Sequence, residues 1–138
     1  MVTLEELNQR GCGKLPGYLG IVFTHLGTAE MVGELALKEA HMAPNGYLHA
    51  GAIVTLADTS CGYGSLANLP NGATGFTTIE LKSNHIGTAR EGTIVSRATA
   101  VHLGKTTHVW DALVTHKESG KTIALFRCTQ MILYPNQG

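Results

Sequence analysis

Charge is scarce in this chain and evenly divided. Its 138 residues hold ten lysines and arginines against ten aspartates and glutamates, a formal net charge of zero at pH 7. No more than two basic residues fall within any five positions. The positive stripe that phosphate backbones require is therefore missing, and nucleic acid is not an expected partner. No apolar run approaches the roughly 20 residues needed to cross a bilayer, and the opening "MVTLEELNQRG" has no basic stretch followed by an apolar one. A cytoplasmic protein without a membrane partner is expected. Cysteine is also rare: Cys12, Cys61 and Cys128 are far apart and form no CxxC pair, which argues against a disulfide framework or structural zinc. The histidines at 25, 41, 102, 108 and 116 form no HxxxH, HxH or HExxH arrangement, so no metal site is expected.

The length suits one domain over residues 1–138. Thr3 followed by Glu6 has the spacing of a capping box and predicts a short helix over about residues 3–11. Strands are expected near 19–28 and 29–39; in the second, Met31, Gly33, Leu35 and Leu37 alternate with Glu30, Glu34 and Lys38. Residues 51–67 lack proline, and Ala52, Ile53, Leu56, Ala57 and Ser60 recur at helical spacing, which predicts a long central helix. Four extended runs follow near 73–86, 92–104, 107–117 and 121–134, joined by "TAREG", "LGK" and "KESGK". These joints read as hairpins or short meander turns. The order implies an α+β architecture, one long helix packed on an antiparallel sheet.

Within "GYLHAGAIVTLADTSCGYG", residues 46–64, Asp58 stands among apolar and small neighbours. An ionised carboxylate there is costly unless it is solvated, partnered or at work, and the surrounding helix offers no ordinary polar face for it. His49 at the helix entrance is either a hydrogen-bonded structural residue or a catalyst. First-turn N–H groups, from about Ala50 to Ile53, lie at the positive end of the helix dipole and can hold a developing oxyanion. Nine residues separate His49 from Asp58, roughly 13 Å along the axis and half a turn around it, so the two cannot touch. If both serve one reaction, the carboxylate comes from a second, antiparallel copy of the helix, and the protein is a dimer with two composite sites. Gly51, Gly62 and Gly64, with Ala52, Ala57 and Ser60, would allow close approach of two such helices, although small residues equally suit packing on a sheet.

The segment "GYLHAGAIVTLAD" resembles the HGG-x(6)-[D/E] motif of hotdog-fold acyl-CoA thioesterases of the PaaI and hydroxybenzoyl-CoA type. The likeness continues through "TTIELKSNHIGTAREG", "HLGKTTHVWDALVT" and "SGKTIALFRCTQMIL" and covers about residues 20–134. It implies a long helix wrapped by a curved antiparallel sheet, paired into dimers or dimers of dimers with sites at the subunit interface. It implies hydrolysis of a CoA thioester, aryl or medium-chain, with coenzyme A as part of the substrate and no other cofactor. Asp58 then matches the catalytic carboxylate, nucleophile or general base; His49 matches the family histidine, and Ala50 the residue whose N–H polarises the carbonyl. Thr78 falls where some relatives hold the attacking water, Gly51 and His85 match pocket positions, and Arg90 and Lys105 match cations near the CoA phosphates. As ordinary residues, Thr78 is a strand threonine, and Arg90 and Lys105 are solvated turn residues.

Three departures stand out. The motif reads HAG rather than HGG. Ala43 replaces an amide that relatives often carry six residues before the histidine; Asn45 would substitute with a shifted loop, or else serves as a turn former. Gly62 stands one turn after the carboxylate, where some relatives have Thr or Ser. Two other functions are alternatives: a non-catalytic acyl-CoA sensor that retains the hotdog pocket, and a hotdog hydratase or dehydratase of enoyl thioesters, a chemistry that places its histidine and acid differently from this segment. A cysteine hydrolase built on Cys61 is disfavoured by its apolar helix and the lack of a nearby histidine or cation.

Overall fold

Two short helices open the chain. Thr3 caps α1 (Leu4–Arg10), its hydroxyl accepting the Glu6 N–H at 3.2 Å. The second, α2 (Leu15–Leu19), carries Pro16 in its first turn and ends at Gly20 with φ +94°. It is absent from the sequence expectation because five residues are too few to show a helical period. It occupies the start of the run read as a strand, so β1 is Ile21–Gly27 rather than 19–28. β2 (Glu30–Ala36) returns antiparallel to it. A 3₁₀ turn at Glu39–His41, also unforeseen, leads into α3 (Ala50–Leu66), the long helix. β3 (Gly75–His85), β4 (Thr93–Leu103), β5 (Thr107–His116) and β6 (Thr122–Leu133) complete the chain. This structure, a computed structural model, describes residues 1–135; the last three residues of the single domain expected over 1–138 lie outside the described residues.

The six strands form one antiparallel sheet in the order β1-β2-β4-β5-β6-β3. The joints after β4 and β5 are tight antiparallel connections, as expected. The "TAREG" joint is not a hairpin: β3 pairs with β6 at one edge, whereas β4 pairs with β2. Burial explains this correction. β4 hides Ile94, Ser96 and Ala98 completely and belongs inside the sheet, whereas β3 leaves most of its residues exposed and tolerates an edge.

The core lies between α3 and the sheet and includes Phe23, Met31, Leu35, Ile53, Leu56, Ile94, Trp110 and Phe126. Each such large side chain contributes about 2 kcal/mol through its burial. Close contact is set by two helix glycines. A Cβ on Gly62 would sit 2.5 Å from the Phe76 ring, and one on Gly64 would sit 2.5 Å from that of Trp110. Gly62 and Gly64 thus seat rings of the chain's own sheet, the packing alternative for these two small residues.

β3 carries a bulge. Thr78 pairs with Gln130 and Glu80 with Thr129, leaving Ile79 as the extra residue. Without it Glu80 would share the inward face with Thr78; with it Glu80 turns outward and Leu81 pairs with the buried Cys128.

Candidate active site

The entrance of α3 is built by a short loop. His41, 2% exposed, accepts the Lys38 N–H on Nδ1 at 3.0 Å and places Nε2 2.8 Å from the Leu19 carbonyl. Its own carbonyl accepts the His49 N–H at 3.0 Å. His49 is the N-cap, with φ −66° and ψ 130°, and its Nδ1 accepts the Gly51 N–H at 2.8 Å. That acceptor role puts the ring proton of neutral His49 on Nε2. Ala50, the first helical residue, is exposed, and its N–H has no partner among the described residues. A cavity of about 310 Å³ beside this entrance is lined by Leu15, Leu19, Met42, Ala52 and Thr55, together with His49 and Gly51. Asn45 is engaged in the loop: its Oδ1 accepts the Tyr47 N–H at 3.1 Å, a turn closed by Gly46 at φ +88°.

Asp58 is half-buried on α3, and its Oδ1 accepts the Thr78 hydroxyl at 2.8 Å. The same hydroxyl oxygen lies 2.8 Å from Oε1 of Gln130, which is fully buried and has Nε2 3.3 Å from the Cys128 sulfur. Burial raises the Asp58 carboxyl above its ordinary value, and hydrogen bonds from the Thr78 and Gln130 side chains pull it part of the way back. The Phe76 ring over Gly62 fills the place one turn beyond the carboxylate; the hydroxyl beside Asp58 comes instead from strand β3. Gln130 is missing from the sequence expectation. Its signal was the alternation of β6, where Ala124, Phe126, Cys128, Gln130 and Ile132 all point inward and the glutamine is the one strongly polar member. Cys61 and Cys128 are free and buried, and burial, followed by the neighbouring Cys128, pushes the Cys61 thiol far up, so no thiolate is available there.

Not every expected residue gathers at one place. Arg90 reaches the helix entrance, where a Cβ on Gly46 would come 3.3 Å from its guanidinium. Lys105 lies at the opposite end of α3, in the turn before His108, whose Nδ1 is 2.9 Å from the Ser65 hydroxyl. Its carbonyl accepts the Tyr134 hydroxyl. His85 is exposed at the end of β3. Asp58 and the His49–Ala50 entrance remain separated by two and a half helical turns within one chain.

Residues 45–123, more than half of the chain, match the model of the thioesterase superfamily. The chain belongs to the thioesterase superfamily. The 1,4-dihydroxy-2-naphthoyl-CoA hydrolase of Escherichia coli is 33% identical over 134 residues, 96% of each chain. The proofreading thioesterase EntH of Cronobacter sakazakii is 29% identical over 134 residues, 96% of this chain and 95% of that one. The crystal structure of a mutant thioesterase from Pseudomonas aeruginosa superposes with a TM-score of 0.90 at 29% identity, covering 96% of this chain and 95% of its own. As a superfamily member the protein is a thioester hydrolase acting on acyl-CoA, and α3 on its six-stranded sheet is the hotdog arrangement that the sequence likeness implies.

Proposed function

We propose that the protein hydrolyses an aryl or medium-chain acyl-CoA to the free acid and CoA at two composite sites of a homodimer. The observation that carries this reading is the division of labour along α3. A donor without a partner among the described residues, the Ala50 N–H, stands at one end, and a desolvated carboxylate held by Thr78 stands more than two turns away. An antiparallel second copy supplies the carboxylate that the entrance lacks. β3 supports that pairing: its outer edge has no strand partner among the described residues, and Ile79 and Leu81 are 52% and 41% exposed there.

In the proposed cycle the thioester oxygen takes the Ala50 N–H of one subunit, where the helix dipole favours developing negative charge. Asp58 of the other removes a proton from water, which adds to the carbonyl; the C–S bond then breaks and the CoA thiolate takes the proton. A raised carboxyl suits this role, because a base is strongest when desolvated. Arg90 of one subunit and Lys105 of the other, at opposite ends of antiparallel helices, approach each other and meet the CoA phosphates. Likeness to the naphthoyl-CoA hydrolase makes aryl-CoA the first substrate class to try.

Thiol release from benzoyl-CoA, phenylacetyl-CoA and medium-chain acyl-CoAs tests the activity; binding without thiol release would leave the sensor reading in its place. A mixing experiment tests the composite site. Ala50→Pro removes only the N–H, since proline suits the first helical position, and Asp58→Asn removes the base. Each variant alone is expected to be nearly inactive, whereas co-refolding them in equal amounts restores about a quarter of wild-type activity, one good site in the half that are mixed dimers. No recovery in dimers shown to be mixed would sink the shared site.

A further inference from the structure

We infer that Gln130 is a positioning residue for Asp58: it is the donor that commits the Thr78 hydroxyl proton to the carboxylate. The inference rests on the reading of Asp58 as the base. Thr78 Oγ1 lies 2.8 Å from two oxygens, Asp58 Oδ1 and Gln130 Oε1, and a hydroxyl has one proton to give. An ionised Asp58 takes that proton. Gln130 Oε1 would then face a lone pair of Oγ1, so its amide turns and presents Nε2 instead. The turned amide puts Oε1 toward Cys128, 3.3 Å from Nε2 before the turn, whose thiol can donate to it. Every hydrogen bond in the chain Cys128, Gln130, Thr78, Asp58 then points toward the negative charge, an arrangement in which each bond strengthens the next. When the carboxyl carries a proton on Oδ1, the chain reverses: Asp58 donates to Thr78, Thr78 to Gln130 Oε1, and Nε2 to the sulfur.

The setting makes this network binding on its members. Gln130 is 0% exposed, so no water replaces a lost partner, and Thr78 is registered directly opposite it on the neighbouring strand. Other titratable groups adjoin the network. Cys61 is on the same helix as Asp58, Cys128 is on β6, and His108 of β5 is paired with Gln130. His108 is held by Ser65 at 2.9 Å. A role through Thr78 is separable from all three, because it vanishes when the hydroxyl is removed.

Gln130→Met keeps the length of the side chain and removes both polar ends. In the wild-type background it is expected to lower kcat about tenfold, the worth of one net hydrogen bond, leave KM unchanged, and move the acid limb of kcat/KM to higher pH. In a Thr78→Val background the same substitution is expected to cost much less, leaving only what the Gln130 amide gives Asp58 directly. Unchanged kcat with an unmoved limb, or equal losses in the two backgrounds, would overturn the inference. Should Gln130→Met fail to fold, the wild-type protein decides the matter by NMR on ¹⁵N-glutamine-labelled material. The Gln130 side-chain amide should shift with the midpoint of the acid limb and stay fixed in Asp58→Asn; a resonance indifferent to pH refutes the role. Full turnover by Asp58→Asn would sink the base itself, whereas an inactive Asp58→Asn beside a silent Gln130→Met sinks only the glutamine's part.

Discussion

Replacing Asp58 with asparagine should slow the enzyme and steady its fold. Burial raises the folded-state carboxyl above its ordinary value of 3.8, so the folded protein holds this proton more tightly than the unfolded chain. Stability from this group is therefore complete at low pH and is lost as pH rises from the unfolded value through the folded one. The cost is thus larger at neutral pH than near pH 4. The Asp58 carboxylate is only half-buried, so partial solvent access screens its charge, and the recoverable stability is a fraction of what a fully buried carboxylate would cost, read as a rise in Tm. The asparagine amide would keep an Oδ1 acceptor for the Thr78 hydroxyl, now at 2.8 Å, so the substitution deletes the charge and spares the hydrogen bond. Thermal melts from pH 4 to pH 8, paired with thiol-release assays, check both halves. The variant should melt higher than wild type at pH 7.5, with the gap closing toward pH 4, while turnover falls by roughly 10²–10⁴-fold. A variant that melts lower at every pH, by a constant amount, would show that Asp58 carries no desolvation strain.

Two further outcomes concern the fold alone. Ser65→Ala removes the partner shared by His108 Nδ1 and Trp110 Nε1, both at 2.9 Å and both on fully buried residues; chemical denaturation should register a loss of about 1–3 kcal/mol. Ala29 occupies the β1–β2 turn at φ +54°, and in the same titration Ala29→Gly should add about 1 kcal/mol of stability through relief of left-handed strain.

Periodicity made most of this architecture legible. The run 121–134 became β6 at Thr122–Leu133 and 51–67 became α3 at Ala50–Leu66 because alternation and helical spacing are local properties. Strand pairing is not local. "TAREG" is as short as a hairpin joint, and nothing in its composition says that β3 leaves for the far edge. The bulge at Ile79 escaped for a related reason: it is visible only once β6 is laid beside β3 and the inward face is seen to shift from Thr78 to Leu81. At the site, Asp58 was conspicuous because a carboxylate clashes with its own neighbours in sequence. Gln130 was not, since the partner that gives it meaning lies 52 positions away.

Gly62 and Thr78 belong to one device, and this sets the outcome of a tempting repair. Restoring a hydroxyl one turn beyond Asp58, by Gly62→Ser, looks like a gain of water-positioning power. The space is taken: any Cβ there meets the Phe76 ring at 2.5 Å. Phe76 and Thr78 are two apart on β3 and share its inward face, opposite Ile132 and Gln130. A ring pushed off the helix carries the strand with it, and the Thr78 oxygen, 2.8 Å from Asp58, moves out of reach. Overpacking of this kind costs about 1–3 kcal/mol, and the lost hydrogen bond adds to it. Gly62→Ser should therefore lower both Tm and kcat, whereas Gly62→Ser with Phe76→Leu, which clears the seat, should recover much of the melting temperature. A single Gly62→Ser variant that turns over faster than wild type would mean that the hydroxyl on β3 is dispensable and that the ring is free to yield.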